Sequence, residues 1–129
     1  MIVGVNHVQV NVSPDQLPAA REFYIGFLGL KEIPRPQVFK SGGFWCQAGH
    51  FEMHIGVEQG ANRHATRAHV AYEVSNITEW RRKIADKGFE MVPQPMIPGF
   101  DRFHFRDPFG NNIELIQRLR PQMDADERR

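Results

Sequence analysis

The sequence is short of almost everything that would take it out of the ordinary globular class. It has one cysteine in 129 residues, Cys46, so no internal disulfide can form and a reduced, cytoplasmic setting is expected. It has no excess charge of either sign. Sixteen basic and fifteen acidic residues leave a formal net charge of +1. That balance argues against nucleic acid as the main partner, which needs a concentrated basic face. The cluster Arg81-Arg82-Lys83 sits on a predicted helix beside Glu79 and Asp86, and reads as a solvated face. There is no long apolar run either. Met1-Ile2-Val3-Gly4-Val5 is too short to cross a bilayer and follows no basic region, so no membrane partner is expected. Asn76-Ile77-Thr78 matches a glycosylation sequon and, without a secretory signal, reads as accidental.

What the chain does have is an echo. Asn6-His7-Val8-Gln9-Val10-Asn11-Val12 returns as Ala68-His69-Val70-Ala71-Tyr72-Glu73-Val74, 62 positions on. Phe51-Glu52-Met53-His54-Ile55 returns as Asn111-Asn112-Ile113-Glu114-Leu115, 60 positions on. Between them, Leu30-Lys31-Glu32-Ile33-Pro34-Arg35-Pro36 matches Phe89-Glu90-Met91-Val92-Pro93-Gln94-Pro95, and Phe44-Trp45-Cys46 matches Phe103-His104-Phe105. A spacing this steady over a whole unit marks an internal duplication. Each copy reads as strand, helix, then three strands.

In the first copy a strand over 5–12 is broken by Ser13-Pro14-Asp15. A helix then fits 18–28, with Ala20, Phe23, Tyr24, Phe27 and Leu28 at helical spacing and Gly29 as its stop. In the second a strand over 67–74 precedes a helix capped at Ser75 or Asn76, with Glu79 in a capping-box position and Gly88 as its end. The fold class expected is α+β: two tandem βαβββ modules forming a curled mixed sheet. One domain should cover 1–118, with modules of about 2–58 and 66–118. A linker lies over 57–66 and a loose tail over 119–129.

Strand alternation sorts the side chains. His7, Gln9 and Asn11 oppose Val8, Val10 and Val12. His69 opposes Val70 and Tyr72. Glu52 and His54 oppose Met53 and Ile55, and Glu114 opposes Ile113 and Leu115. The apolar rows should pack under the helices and leave His7, His69, His54 and Glu114 on the other face. The duplication therefore pairs His7 with His69, and His54 with Glu114, as four potential metal ligands at equivalent places. If Phe44, Phe103 and Phe105 take the helix side, then Trp45, Arg102 and His104 share the ligand face. Cys46 aligns with Phe105 and should be buried. His50 and His64 fall in loops and read as surface residues.

The modules, the two strand histidines and the run Arg106-Asp107-Pro108-Phe109-Gly110-Asn111-Asn112-Ile113-Glu114-Leu115 resemble the vicinal oxygen chelate superfamily. It includes glyoxalase I, extradiol dioxygenases, fosfomycin-resistance transferases and bleomycin-binding proteins. The resemblance covers about residues 2–118, and the stretch 52–58 is similar to small glyoxalase-like proteins. It implies a cup holding a divalent metal on His7, His69 and Glu114. The place of a fourth glyoxalase I ligand, commonly Glu, is taken by His54. This departure stops the reading short of glyoxalase I itself.

Such a donor set suits Fe, Ni, Co, Zn or Mn, with open positions for two neighbouring substrate oxygens. The activity implied is a glyoxalase-like lyase, isomerase or epimerase acting through an enediolate-like intermediate on a small substrate. Alternatives are an Fe(II) extradiol-type dioxygenase, a fosfomycin-type thiol transferase, or a bleomycin-resistance-like binding protein without catalysis. Glu114 is a candidate proton shuttle if it loosens, and His104 a second acid or base, against a plain wall role. Arg102 is a candidate for binding a substrate carboxylate or phosphonate. Trp45 and Phe100 are candidates for an apolar wall. A homodimer is also expected from the resemblance.

Overall fold

The computed structural model describes residues 1–60 and 63–120. The chain separates into two units that divide between Arg63 and His64. Each unit is one βαβββ module, as expected, and each builds one four-stranded mixed sheet.

The first unit holds β1 (His7–Val12), β2 (Lys31–Ile33), β3 (Gly43–Ala48) and β4 (Phe51–Val57), in the order β1-β4-β3-β2. β1 runs parallel to β4, and β3 runs antiparallel to it. The helical segment between β1 and β2 starts earlier than its apolar spacing indicates. A 3₁₀ turn over Pro14–Gln16 leads into α1 (Leu17–Arg21) and a π-helical turn over Glu22–Phe27. The triplet Ser13-Pro14-Asp15 does break the strand, but it also starts the helix. The Gln16 side chain accepts from the Ser13 N–H at 2.8 Å, Pro14 takes the first helical position, and Asp15 sits in the first turn. The π turn places adjacent Phe23 and Tyr24 both in the core, with Ala20. Cys46 is fully buried on the apolar face, and burial pushes its thiol up to about 11, which keeps it protonated and unreactive.

The second unit repeats the plan. β5 (His69–Glu73), β6 (Met91–Val92), β7 (Phe100–Arg106) and β8 (Asn112–Arg118) lie in the order β5-β8-β7-β6. β5 is parallel to β8 and β7 antiparallel to it. α2 (Ile77–Lys87) buries Ile77 and Ile84 and packs on β7 and β8. Its first turn is tied down twice. The Glu79 N–H donates to Asn76 Oδ1, and the Ile77 N–H donates to the Gln117 side chain at 2.9 Å. Gly88 closes it in the left-handed conformation. The basic cluster is a solvated face bound to its own acids. Arg82 pairs with Glu79 and Asp86, and Arg81 with Asp101 at 2.7 Å.

The duplication is visible in the pairing. Trp45 stands opposite His54, as His104 stands opposite Glu114. His7 stands opposite Glu52, as His69 stands opposite Asn112. The linker begins later than expected, because Val57 closes β4. The expected tail over 119–129 lies outside the described residues beyond Arg120. Among the described residues no helix is long and apolar enough to cross a membrane.

One turn sets where β8 begins. The buried Asp107 carboxylate accepts from the Phe109 and Asn111 N–H groups at 2.9 and 2.8 Å, and from the Asn111 amide at 3.1 Å. Gly110 in this turn has φ +98°, and the His64 ring lies 2.6 Å from where its Cβ would be. His64 is exposed, as expected, but also packs on this turn. Asp107→Ala leaves buried donors unmatched and should destabilise the protein by about 2 kcal/mol, read from urea unfolding. A loss below about 0.5 kcal/mol would remove this turn as an anchor of β8.

Candidate functional site

The central strand of the second sheet carries the site. Glu114 lies in the middle of β8, and its Cα partner on β5 is Ala71, whose small side chain leaves room beside the carboxylate. His104 faces Glu114 directly from β7, and His69 approaches diagonally from β5. His69 Nε2 lies 3.1 Å from Glu114 Oε1, and His104 Nε2 lies 3.2 Å from the same oxygen. These three residues bring one ligand atom each within 4.8 Å of one another. Glu114 and His104 are buried, while His69 is exposed at the rim.

Hydrogen bonding fixes which imidazole nitrogen carries the lone pair. His69 Nδ1 lies 3.0 Å from the Arg67 carbonyl, which can only accept, so Nδ1 holds the proton and Nε2 the lone pair. His104 Nδ1 lies 3.2 Å from Asn112 Oδ1, with the same consequence. The Arg102 guanidinium, a donor only, lies 3.1 Å from His104 Nε2 and agrees with that assignment. Two imidazole lone pairs and a carboxylate oxygen therefore converge.

Acceptors facing acceptors at this distance repel unless a cation lies among them. Two ligands at right angles on an ion about 2.1 Å from each stand about 3.0 Å apart, and about 3.4 Å apart in a tetrahedral set. The 3.1 Å between His69 Nε2 and Glu114 Oε1 falls in that range. The donor set fits a divalent cation, with the second-sphere bonds from Arg67 and Asn112 that such histidines need.

Arg102 is committed inside this cluster. Its Nη1 also donates to Glu114 Oε2 at 3.2 Å, and its Nη2 to the Pro95 carbonyl at 2.6 Å. Its Nε is buried and has no hydrogen-bond partner among the described residues. Glu114 thus turns one oxygen to the histidines and the other to a cation. Phe100 starts β7, four residues from His104 on the same face. The Arg118 guanidinium covers it at 5.1 Å, so the structure does not bring it to the cluster.

The equivalent place in the first unit is aromatic. The His54 ring is stacked between Trp45 (centroids 3.8 Å apart, 4° between planes) and His7 (4.0 Å, 15°). His54 Nε2 lies 3.0 Å from Glu52 Oε1, which accepts its proton and leaves the lone pair on Nδ1. His7 Nδ1 is bonded to Asn6 Oδ1 at 2.9 Å, so its own lone pair is on Nε2. Of the six histidines, the second unit brings His69 and His104 together, and the first brings His7 and His54 together.

Two contributors went unnoticed in the sequence. Asn112 sits two before Glu114 and so on its face, and it is the repeat partner of Glu52. Glu52 shares the face of His54, and it orients that ring. Alternation was the signal for both.

Burial pushes the His104 imidazole below its ordinary value, against the opposing pull of the Glu114 carboxylate and the Asn112 hydrogen bond. With its folded value depressed, the unfolded chain binds the proton more readily. This residue's stability contribution is therefore complete above about pH 6.5 and is lost as pH falls from there through the folded value. His104→Asn should flatten the fall in melting temperature between pH 7 and pH 5 in metal-free protein. An unchanged slope would show that His104 does not titrate in that window.

The sequence model of the Glyoxalase/Bleomycin resistance protein/Dioxygenase superfamily matches residues 4–115. A glyoxalase family protein of known structure from Bacillus anthracis is 40% identical, with a TM-score of 0.81, over 92% of this chain and 98% of that one. A mutant of the fosfomycin resistance protein FosX from Listeria monocytogenes was solved with Mn(II) and 1S,2S-dihydroxypropylphosphonic acid. It has the same fold at 21% identity (TM-score 0.78, 92% of this chain and 95% of that one). FosX from Mesorhizobium loti does so at 19% identity (TM-score 0.69, 89% and 91%). No curated protein matches the sequence. With a family model spanning most of its length and a solved relative at this identity, the chain belongs to the glyoxalase/bleomycin resistance protein/dioxygenase superfamily.

Proposed function

We propose that this protein is a divalent-metal enzyme that binds a small substrate through two neighbouring oxygens and catalyses a proton-transfer reaction of the lyase, isomerase or epimerase type. One observation carries the reading. His69, its tautomer fixed, presents an Nε2 lone pair to Glu114 Oε1 at 3.1 Å, an arrangement suited to a cation, with the His104 Nε2 lone pair beside the same oxygen. The Mn(II) bound by a FosX relative supports a divalent ion in this fold.

His69 and Glu114 form the core of the proposed ligand set, and the family pattern adds His7. When bound, the ion polarises the substrate oxygens as a Lewis acid. The chain's own residues do the rest. Arg102 donates to the outer oxygen of Glu114 and orients the carboxylate. His104, held neutral by burial and with its lone pair at Nε2, accepts a proton from substrate at that atom and later returns it. Asn112 holds the ring in that tautomer. His54, whose Nε2–H is engaged by Glu52, positions His7 through the ring stack. Trp45 closes the outer side of that stack. A homodimer and a cytoplasmic location remain part of this proposal, on the family resemblance and the composition.

Protein purified without added metal, then reconstituted, should hold about one equivalent of Mn(II), Co(II), Ni(II), Fe(II) or Zn(II) by elemental analysis. Less than a tenth of an equivalent would sink the reading. His69→Ala and Glu114→Ala should each weaken Mn(II) binding at least 100-fold in calorimetric titration. His7→Ala should match them if it is the third ligand. His104→Gln should lower turnover at least 100-fold and weaken Mn(II) binding less than tenfold. The reverse pattern, with His104 essential for binding and His7 dispensable, would move the third ligand into the second unit.

A further inference from the structure

Beside the His69–His104 pair, the second unit has a cavity of about 590 Å³, a size that suits a small molecule. Its lining is unusual in sign. It includes two arginines, Arg67 and Arg106, both histidines of the cluster, Asn112 and Gln94, and it has no aspartate or glutamate. The two arginines differ in what they are doing. Arg106 spends its guanidinium on the carbonyls of Gly110 (3.2 Å) and Thr66 (3.1 Å), holding the ends of two loops together. The Arg67 side chain is exposed and makes no hydrogen bond or ion pair among the described residues. Its backbone, by contrast, is fixed, because its carbonyl receives the His69 Nδ1 proton. Arg67 precedes His69 by two positions, and both line the same cavity.

We infer that Arg67 is a specificity-determining residue that anchors an oxyanion, a carboxylate or a phosphonate, in this cavity. The inference rests on the metal-enzyme reading for its chelating half, and it names the substrate class of that site. The substrate is a small compound with two neighbouring oxygens for the metal and an anionic group for Arg67. An unpaired guanidinium offers a planar fork of donors that matches either anion in two parallel bonds. A cavity without carboxylates puts no like charge against such a ligand. Arg102 does not serve this purpose in the structure, because its donors already go to Glu114, His104 and Pro95.

The test separates the anchor from the metal. Inorganic phosphate is titrated into metal-free protein, wild type and Arg67→Gln, by NMR shift perturbation. Separately, L-lactate, 2-hydroxyethylphosphonate and neutral 1,2-propanediol are titrated into Mn(II)-loaded protein and followed by water-proton relaxation. Phosphate should bind metal-free wild type at least fivefold more tightly than Arg67→Gln. On loaded wild type the better of the two anions should exceed propanediol at least tenfold, and Arg67→Gln should cut that advantage to about twofold. Which anion wins identifies the group. Arg67 is exposed, so the variant should keep the wild-type melting temperature.

If Arg67→Gln leaves phosphate binding and the anion preference unchanged, the anchor is refuted and the metal reading stands. If the protein takes up no Mn(II) while phosphate binding remains sensitive to Arg67, the metal reading falls and the anion anchor stands.

Discussion

The arrangement depends on one carboxylate held in the middle of a sheet. Glu114 is buried on the central strand β8, and an isolated buried carboxylate costs several kcal/mol unless it is matched. It is matched on one oxygen by Arg102, while its other oxygen faces the Nε2 lone pairs of His69 and His104, where the proposed cation would match it. Those partners come from β5 and β7, the two strands bonded to β8. The sheet therefore delivers the cluster through its own register, and no loop is needed to place it. The Asp107 turn sets where β8 starts and so fixes that register. A shift of one residue would turn Glu114 into the helix face and Ile113 into the site.

The duplication shows how one frame holds two chemistries. His7, Trp45, Glu52 and His54 occupy the places of His69, His104, Asn112 and Glu114. Where the second unit has a carboxylate receiving polar groups, the first has an imidazole sandwiched between rings. Changing the central residue from Glu to His removes the anion that would draw cations to it, and replacing His104 by Trp45 substitutes a flat apolar face. The backbone pairing is the same, and only the side chains differ. The second unit thus carries the His69–Glu114 pair of the proposed ligand set, and the first carries His7 in an aromatic stack.

Much of this was legible in the chain itself because it depended on alternation and on repetition. Both are strong in β-strands with one apolar row, and they put His7, His69, His54 and Glu114 on the correct faces. They also put Arg102 and His104 on the ligand face once Phe103 and Phe105 were assigned to the core. The start of the first helix was missed because Ser13-Pro14-Asp15 has the composition of a turn as well as that of a capped helix start, and only the Gln16 side chain decides between them. The tautomers were invisible, since they depend on the Arg67 carbonyl and on Asn112 Oδ1. So were the commitments of Arg102 to Glu114 and of Arg106 to two carbonyls, which leave Arg67 at the cavity without a partner among the described residues. Sequence spacing finds the face a residue takes, but not the partner its last atoms reach.

The central claim is that Glu114 Oε1 and His69 Nε2 hold a divalent ion. Anomalous diffraction from crystals of the Mn(II)-loaded protein, collected on both sides of the manganese edge, tests it most directly. The account predicts one strong peak about 2.1 Å from both atoms, with Arg102 still bonded to the other oxygen of Glu114. A map with no peak at Glu114, or with manganese bound only at surface histidines such as His50, would contradict it.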